Sequence, residues 1–146
     1  MASENLERGA FVLLQRVAAQ HLRDLEEALK PAQLSPSQYN VLRILRGGGP
    51  EGIPCRTIAE RMIARDPDMT RLLDRLEARG LVARARLSSD RRVVRTRITD
   101  DGSALLKTLD RPIDSLHLRQ LAHLGKDNLD KLSELLRIAL KSKANV

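Results

Sequence analysis

Aromatic side chains are almost missing: Phe11 and Tyr39 stand alone, and there is no tryptophan. Proteins that read single-stranded DNA or RNA stack bases on aromatic platforms, so this scarcity counts against a single-stranded partner. One cysteine, Cys55, permits no internal disulfide, and His21, His117 and His123 are scattered without zinc-ligand spacing, so no metal is expected. No apolar run approaches the roughly 20 residues of a membrane span. The polar start over residues 1–8 is not a signal peptide, and a cytoplasmic protein with no membrane partner is expected. There is no Gly-x-Ser-x-Gly elbow and no histidine placed beside a nucleophile. Gly47-Gly48-Gly49-Pro50 lacks the Gly-Lys-Ser/Thr ending of a phosphate-binding loop, which leaves it as a connection. These gaps argue against an enzyme and against a bound cofactor.

What is present is charge of one sign in one place. Between residues 61 and 97, eleven arginines meet five carboxylates, a surplus of six out of a formal +7 for all 146 residues, and no lysine occurs there. The length suits one ordinary domain. Arginine offers a planar fork of donors that matches phosphate and base edges, so the stretch reads as a surface for a duplex polyanion.

Two elements can be read inside it. Asp66 and Pro67 are expected to cap and open a helix in which Met69, Leu72, Leu73 and Leu76 form the buried stripe and Gly80 the stop. The opposite face presents Thr70, Arg71, Asp74, Arg75 and Ala78, with side chains suited to base edges in a major groove. After Gly80 the period becomes two. Ala83, Ala85 and Leu87 alternate with Arg84 and Arg86; Val94, Thr96 and Ile98 alternate with Arg95 and Arg97. This predicts a β-hairpin with Ser88-Ser89-Asp90-Arg91 as its turn and four arginines facing one another on its outer side, a repulsion that phosphate would relieve.

The remaining chain is helical. Residues 5–30 keep helical spacing through Leu6, Ala10, Leu14, Val17, Leu25 and Leu29 until Pro31, and around Phe11, Val12 and Leu13 the apolar surface covers more than one face. That width suggests contact with a second subunit; burial within the same subunit is the alternative. Ser35 and Gln38 form a capping box with Pro36 at the first helical position, opening a helix that carries Tyr39, Leu42 and Leu45. Ile53 is read as a short strand pairing with the hairpin, and Pro54 precedes a short helix with Ile58, Ala59, Met62 and Ile63. Thr99 caps a long helix with Leu105, Leu106, Leu109, Ile113, Leu116 and Leu121, expected to kink at Pro112. A last helix carries Leu129, Leu132, Leu135, Leu136, Ala139 and Leu140, with Lys141 and Lys143 complementing its end.

The expected fold is therefore mainly α with a small β-hairpin wing. A winged helix-turn-helix lobe over residues 35–102 is flanked by dimerisation helices over 1–34 and 103–146. Leu6, Phe11, Leu14, Ile113, Leu116, Leu132, Leu135, Leu136 and Leu140 are the expected dimer contacts.

The run Met69-Thr70-Arg71-Leu72-Leu73-Asp74-Arg75-Leu76-Glu77-Ala78-Arg79-Gly80-Leu81-Val82, followed by Asp90-Arg91-Arg92 and Ile98-Thr99-Asp100-Asp101-Gly102, resembles the MarR family of bacterial transcription regulators, in the same helix order over nearly the whole chain. The resemblance implies a homodimer on a palindromic promoter site, with recognition helices in successive major grooves and wings at the flanking minor groove. Carried over by position, Thr70, Arg71 and Arg75 would meet the major groove. Arg92, with Arg91, would enter the minor groove, and Arg56 and Thr57 would touch phosphates. Arg84, Arg86 and Arg95 join them as hairpin phosphate ligands on the alternation alone. The family also implies a small phenolic or lipophilic acid as effector, bound between the dimerisation helices and the DNA-binding lobe, although no effector residue carries over. Peroxide-sensing relatives use a cysteine in the first helix, which has none here, so Cys55 does not inherit that role. Phosphate contacts alone would also account for the arginines, which leaves a non-specific architectural DNA binder, or a module for an acidic protein partner, as competing readings.

Overall fold

A computed structural model describes residues 5–87 and 89–141 of the chain. Ser88, in the expected hairpin turn, and Lys143 lie outside the described residues. The order is α1 (Leu6–Leu29), α2 (Pro36–Arg46), β1 (Ile53–Pro54), α3 (Cys55–Arg61), α4 (Met69–Ala78), β2 (Val82–Arg86), β3 (Val94–Ile98), α5 (Asp100–Leu121) and α6 (Lys126–Lys141), with 3₁₀ turns at Lys30–Ala32 and Ala122–Leu124.

Local chemistry sets most boundaries. Asn5 caps α1 by accepting the Arg8 N–H at 2.9 Å, and Pro31 follows its end. At α2 the capping box is complete: Ser35 Oγ accepts the Gln38 N–H at 3.1 Å, and Gln38 Oε1 accepts the Ser35 N–H at 2.9 Å. The start of α4 departs from expectation. Its cap is Asp68, whose carboxylate accepts the Arg71 N–H at 3.0 Å. Asp66 instead accepts the Asp68 N–H at 2.9 Å, a local turn in the approach to the helix, and Pro67 stays outside it. Pro112 does not end α5, which continues through it to Leu121.

The sheet has the order β1-β3-β2, all antiparallel, with Ile53 opposite Thr96 as the third strand. Its register corrects the hairpin reading. Arg84 pairs with Thr96 and Arg86 with Val94, whereas Ala83 pairs with Arg97 and Ala85 with Arg95. Directly opposed residues share a face, so Arg84 and Arg86 lie on the inner face and Arg95 and Arg97 on the outer one. The four arginines do not face one another. The anchor is Val82, which is buried opposite Ile98 and turns every following residue of β2 by one position.

The core gathers Leu29 of α1, Leu42 and Leu45 of α2, Ile58 of α3, Leu73 and Leu76 of α4, Leu106 of α5 and Val82 and Thr96 of the sheet. Each fully buried leucine or isoleucine there contributes roughly 1.5–3 kcal/mol. Ile113 and Leu116, expected at a dimer contact, are instead 2% and 6% exposed, being used up within their own subunit where α5 runs past α1 and α2. The ends are the opposite case. Residues 6–20 of α1 are all exposed, about 22 Å of helix at 1.5 Å per residue, and no described side chain of α6 is buried.

Candidate nucleic-acid interface

Helix α4 buries Leu72, Leu73 and Leu76 and exposes Thr70, Arg71, Asp74, Arg75 and Ala78. The arginine guanidinium groups of Arg71 and Arg75 form no ion pair among the described residues. Four core leucine and methionine positions thus fix the roll of the helix, and that roll presents a threonine and two arginines on one solvent face.

The wing tip is organised by Asp90. Its Oδ1 accepts the Arg92 backbone N–H at 3.0 Å, so Arg91 and Arg92 stand exposed at a turn closed by the aspartate two residues before Arg92. This is the physical content of the Asp90-Arg91-Arg92 run that carries part of the family resemblance. The Thr-x-x-Gly pattern has its own reason. Thr99 Oγ1 donates to the Gly80 carbonyl at 2.6 Å and accepts the Gly102 N–H at 3.1 Å, tying the end of α4 to the start of α5. At Gly102 a Cβ would lie 2.2 Å from the Leu81 carbonyl oxygen, so only glycine lets α5 pass.

Several arginines of the basic stretch have other partners, among them Arg84, Arg86 and Arg95, which the alternation alone reads as phosphate ligands. Arg84 donates from Nη2 to Glu77 Oε1 at 2.9 Å and to Asp74, and its backbone N–H donates to Glu77 Oε2 at 3.0 Å. Its side chain is 24% exposed. Hydrogen bonds from Glu77 and then Asp74 hold the guanidinium above its ordinary range, and the bond from Arg84 holds the Glu77 carboxyl below its own. Arg86 donates to the Arg91 carbonyl. Arg95 is turned back to the Gly52 carbonyl at 2.9 Å and the Glu51 carbonyl at 3.3 Å. Arg79 donates to the carbonyls of Gln33 at 2.7 Å and Ala32 at 2.9 Å. A signal for Arg84 was present in the sequence: Asp74 and Glu77, three apart on one helix, have no reason to face a polyanion and needed a cation within the fold.

Arg56 is open on the first turn of α3, with Nε 3.2 Å from Glu60 Oε1 and a side chain 92% exposed, and Thr57 beside it is half-buried. Cys55 is the first residue of the same helix and is free. Between α1, α2, α5 and the turn after α3 lies a cavity of about 870 Å³, lined by Leu22, Leu25, Tyr39, Ile44, Met62 and Leu121, with His21, Glu26, Arg43 and His117 among its charged or titratable groups. Arg43 lies over the Tyr39 ring at 5.9 Å. Sequence reasoning did not locate these residues, because no motif joins four separate segments.

Away from the basic face, Leu6, Phe11, Leu13, Leu14 and Val17 on α1 and Leu135, Leu136, Ile138 and Leu140 on α6 are exposed apolar side chains; Leu132 is half-buried. No helix among the described residues is long and apolar enough to cross a membrane.

The MarR family model matches residues 34–94. Among solved structures, a MarR transcription factor from Planctomyces limnophilus is 42% identical over 94% of this chain and 98% of its own, with a TM-score of 0.70. CouR from Rhodococcus jostii RHA1, bound to p-coumaroyl-CoA, is 31% identical over 98% of this chain and 96% of its own, with a TM-score of 0.78. The transcriptional repressor CouR bound to a 23-mer DNA duplex is 30% identical over 96% of this chain and 98% of its own, with a TM-score of 0.81.

Proposed function

We propose, starting from the fact that this chain belongs to the MarR family of DNA-binding winged-helix transcription regulators, that it is a homodimeric repressor acting on a palindromic promoter site in the cytoplasm. The single observation that carries specific rather than general DNA binding is the division of the arginines. Arg71 and Arg75 stand beside Thr70 on the exposed face of α4 and Arg91 and Arg92 stand at the wing tip, whereas Arg79, Arg84 and Arg86 between them each donate to a partner within the protein. A surface built only to neutralise phosphate would gain from leaving every arginine free. In this reading Thr70, Arg71 and Arg75 address the major groove, Arg91 and Arg92 the flanking minor groove, and Arg56 and Thr57 the backbone.

Dimerisation is supported by the apolar ends: Leu6, Phe11 and Leu14 on α1 and Leu135, Leu136 and Leu140 on α6, with half-buried Leu132 beside them, form an exposed apolar surface suited to a second copy. Two copies would present two recognition helices to two half-sites. A regulatory ligand is supported by the cavity beneath α2. Its apolar walls and Arg43 suit a lipophilic or phenolic acid, and the relative bound to p-coumaroyl-CoA shows that one member of the family takes an acyl thioester of this kind.

Selection of bound sequences from a random duplex library, with sedimentation of the free protein, tests the proposal. The expected result is a palindromic consensus bound by a dimer. Recovery of sequences with no consensus, at equal affinity, would convert the protein into an architectural binder.

A further inference from the structure

The inner face of β2 carries two arginines where a winged domain has apolar packing to offer, and each is spent on a specific bond. Arg84 grips Asp74 and Glu77 of α4, with its own backbone N–H closing a second bond to the Glu77 carboxylate. Two residues on, and on the same face, Arg86 donates to the carbonyl of Arg91 across the hairpin. Asp90 then accepts the N–H of Arg92 at 3.0 Å. Two separate side-chain ties on β2, one from Arg84 to the recognition helix and one from Arg86 to the wing tip, are thus joined to each other through the strand backbone.

Arg95 ties β3 to the Glu51 and Gly52 carbonyls, but among the described residues Arg84 alone joins the hairpin to α4 by side-chain hydrogen bonds. Wing and helix touch through α4 and β2, where Val82 is the last fully buried residue of β2. Past the pairing of β3 with β1 at Arg95 the hairpin is two-stranded, and with no buried residue there among those described it has little to fix its angle. A guanidinium held by two carboxylates resists rotation better than a single contact, because its donors are planar and fixed relative to one another.

We propose that Arg84 and Arg86 are positioning residues that set the placement of Arg91 and Arg92 relative to Arg71 and Arg75, so that major-groove and minor-groove contacts are made at one fixed separation. The inference rests on the reading of Arg92 as a minor-groove contact. It differs from a phosphate role in what salt reveals. A positioning arginine already neutralised by Asp74 and Glu77 releases no counterion on binding, whereas a phosphate ligand changes the log–log salt slope by about 0.9.

The test uses the full-length protein and the consensus recovered from the random library, with every position varied singly. Four proteins are compared: the parent, Arg92→Ala, Arg84→Ala and Glu77→Ala, each checked for an unchanged circular dichroism spectrum. The expected result is that Arg84→Ala and Glu77→Ala lose the base preference in the flanks to the same degree as Arg92→Ala, keep the preference of the central half-site, and bind with the salt slope of the parent. Glu77→Ala also covers the case in which Arg84→Ala fails to fold; it removes a negative charge, so a loss of flank preference in it cannot be a lost phosphate contact. Flank preference retained in Arg84→Ala or Glu77→Ala, with Arg92→Ala losing it, would overturn the positioning role while leaving the wing reading intact. Flank preference unchanged in Arg92→Ala would overturn the wing reading and the inference with it.

Discussion

Arg79, at the C-terminal end of the recognition helix, donates through both terminal nitrogens to consecutive carbonyls, Gln33 at 2.7 Å and Ala32 at 2.9 Å, in the turn that joins α1 to α2. Gln33 has a φ of 54°, a left-handed conformation that turns the chain between the two helices. One arginine of the basic stretch is thus the link between the recognition helix and the root of the longest exposed helix.

Arg79→Ala is expected to lower stability by about 1–3 kcal/mol, the range for charge-assisted bonds, while leaving the salt slope of DNA binding unchanged, because its guanidinium is already engaged. Urea denaturation and binding at several salt concentrations measure the two effects. A slope reduced by about one unit would make Arg79 a phosphate contact instead.

Gly102→Ala places a methyl group against a backbone carbonyl that cannot yield, since the Leu81 oxygen also accepts the Thr99 N–H at 3.1 Å. Overpacking of this kind costs about 1–3 kcal/mol. Thermal unfolding should show a clear drop in Tm, and a variant as stable as the parent would mean that α5 can shift away from the turn.

The Glu77 carboxyl is held below its ordinary range by Arg84, so the pair is stabilising above the unfolded carboxylate value of about 4.3 and loses that contribution as pH falls through the lower folded value. The stability gap between the parent and Glu77→Gln should therefore be constant through neutral pH and shrink only in acid. Denaturation across pH, with a gap that instead closes between neutrality and mild acidity, would contradict the assignment.

Phe11→Asp combined with Leu135→Asp puts charge on both exposed apolar faces, at 61% and 55% exposed positions that cost the isolated subunit little. Sedimentation should show a monomer with an unchanged circular dichroism spectrum, and DNA binding should weaken by more than tenfold because only one half-site is then engaged at a time. A double variant that remains a dimer would place the interface elsewhere.

Cys55→Ser should leave DNA affinity and its response to peroxide unchanged, since the chain has no second cysteine with which an oxidised thiol could pair within one subunit. DNA binding measured before and after oxidant, in both proteins, decides this; a variant that stays on DNA while the parent leaves would give Cys55 a sensing role.

The sequence by itself determined the order of elements and the roll of α4, because the spacing of Leu72, Leu73 and Leu76 admits only one buried face, and the capping box of Ser35 and Gln38 is a contact between near neighbours. It also determined where positive charge accumulates. What it left open were choices between equivalent local solutions: Asp68 rather than Asp66 as the cap of α4, and Val82 rather than Ala83 as the inward residue of β2. Alanine is small enough to face either way, so the alternation of Ala and Arg carries no preference, and the decision fell to Val82 meeting the core opposite Ile98. That one-residue choice turned Arg84 from the outer face to the carboxylates of α4. The cavity and the burial of Ile113 and Leu116 were beyond local reading for the same physical reason: each is a relation between segments far apart in the chain, and only packing brings Leu22, Tyr39, Met62 and Leu121 to one wall or spends Ile113 and Leu116 within the subunit while Phe11 and Leu135, read from their helical stripes, stay outside.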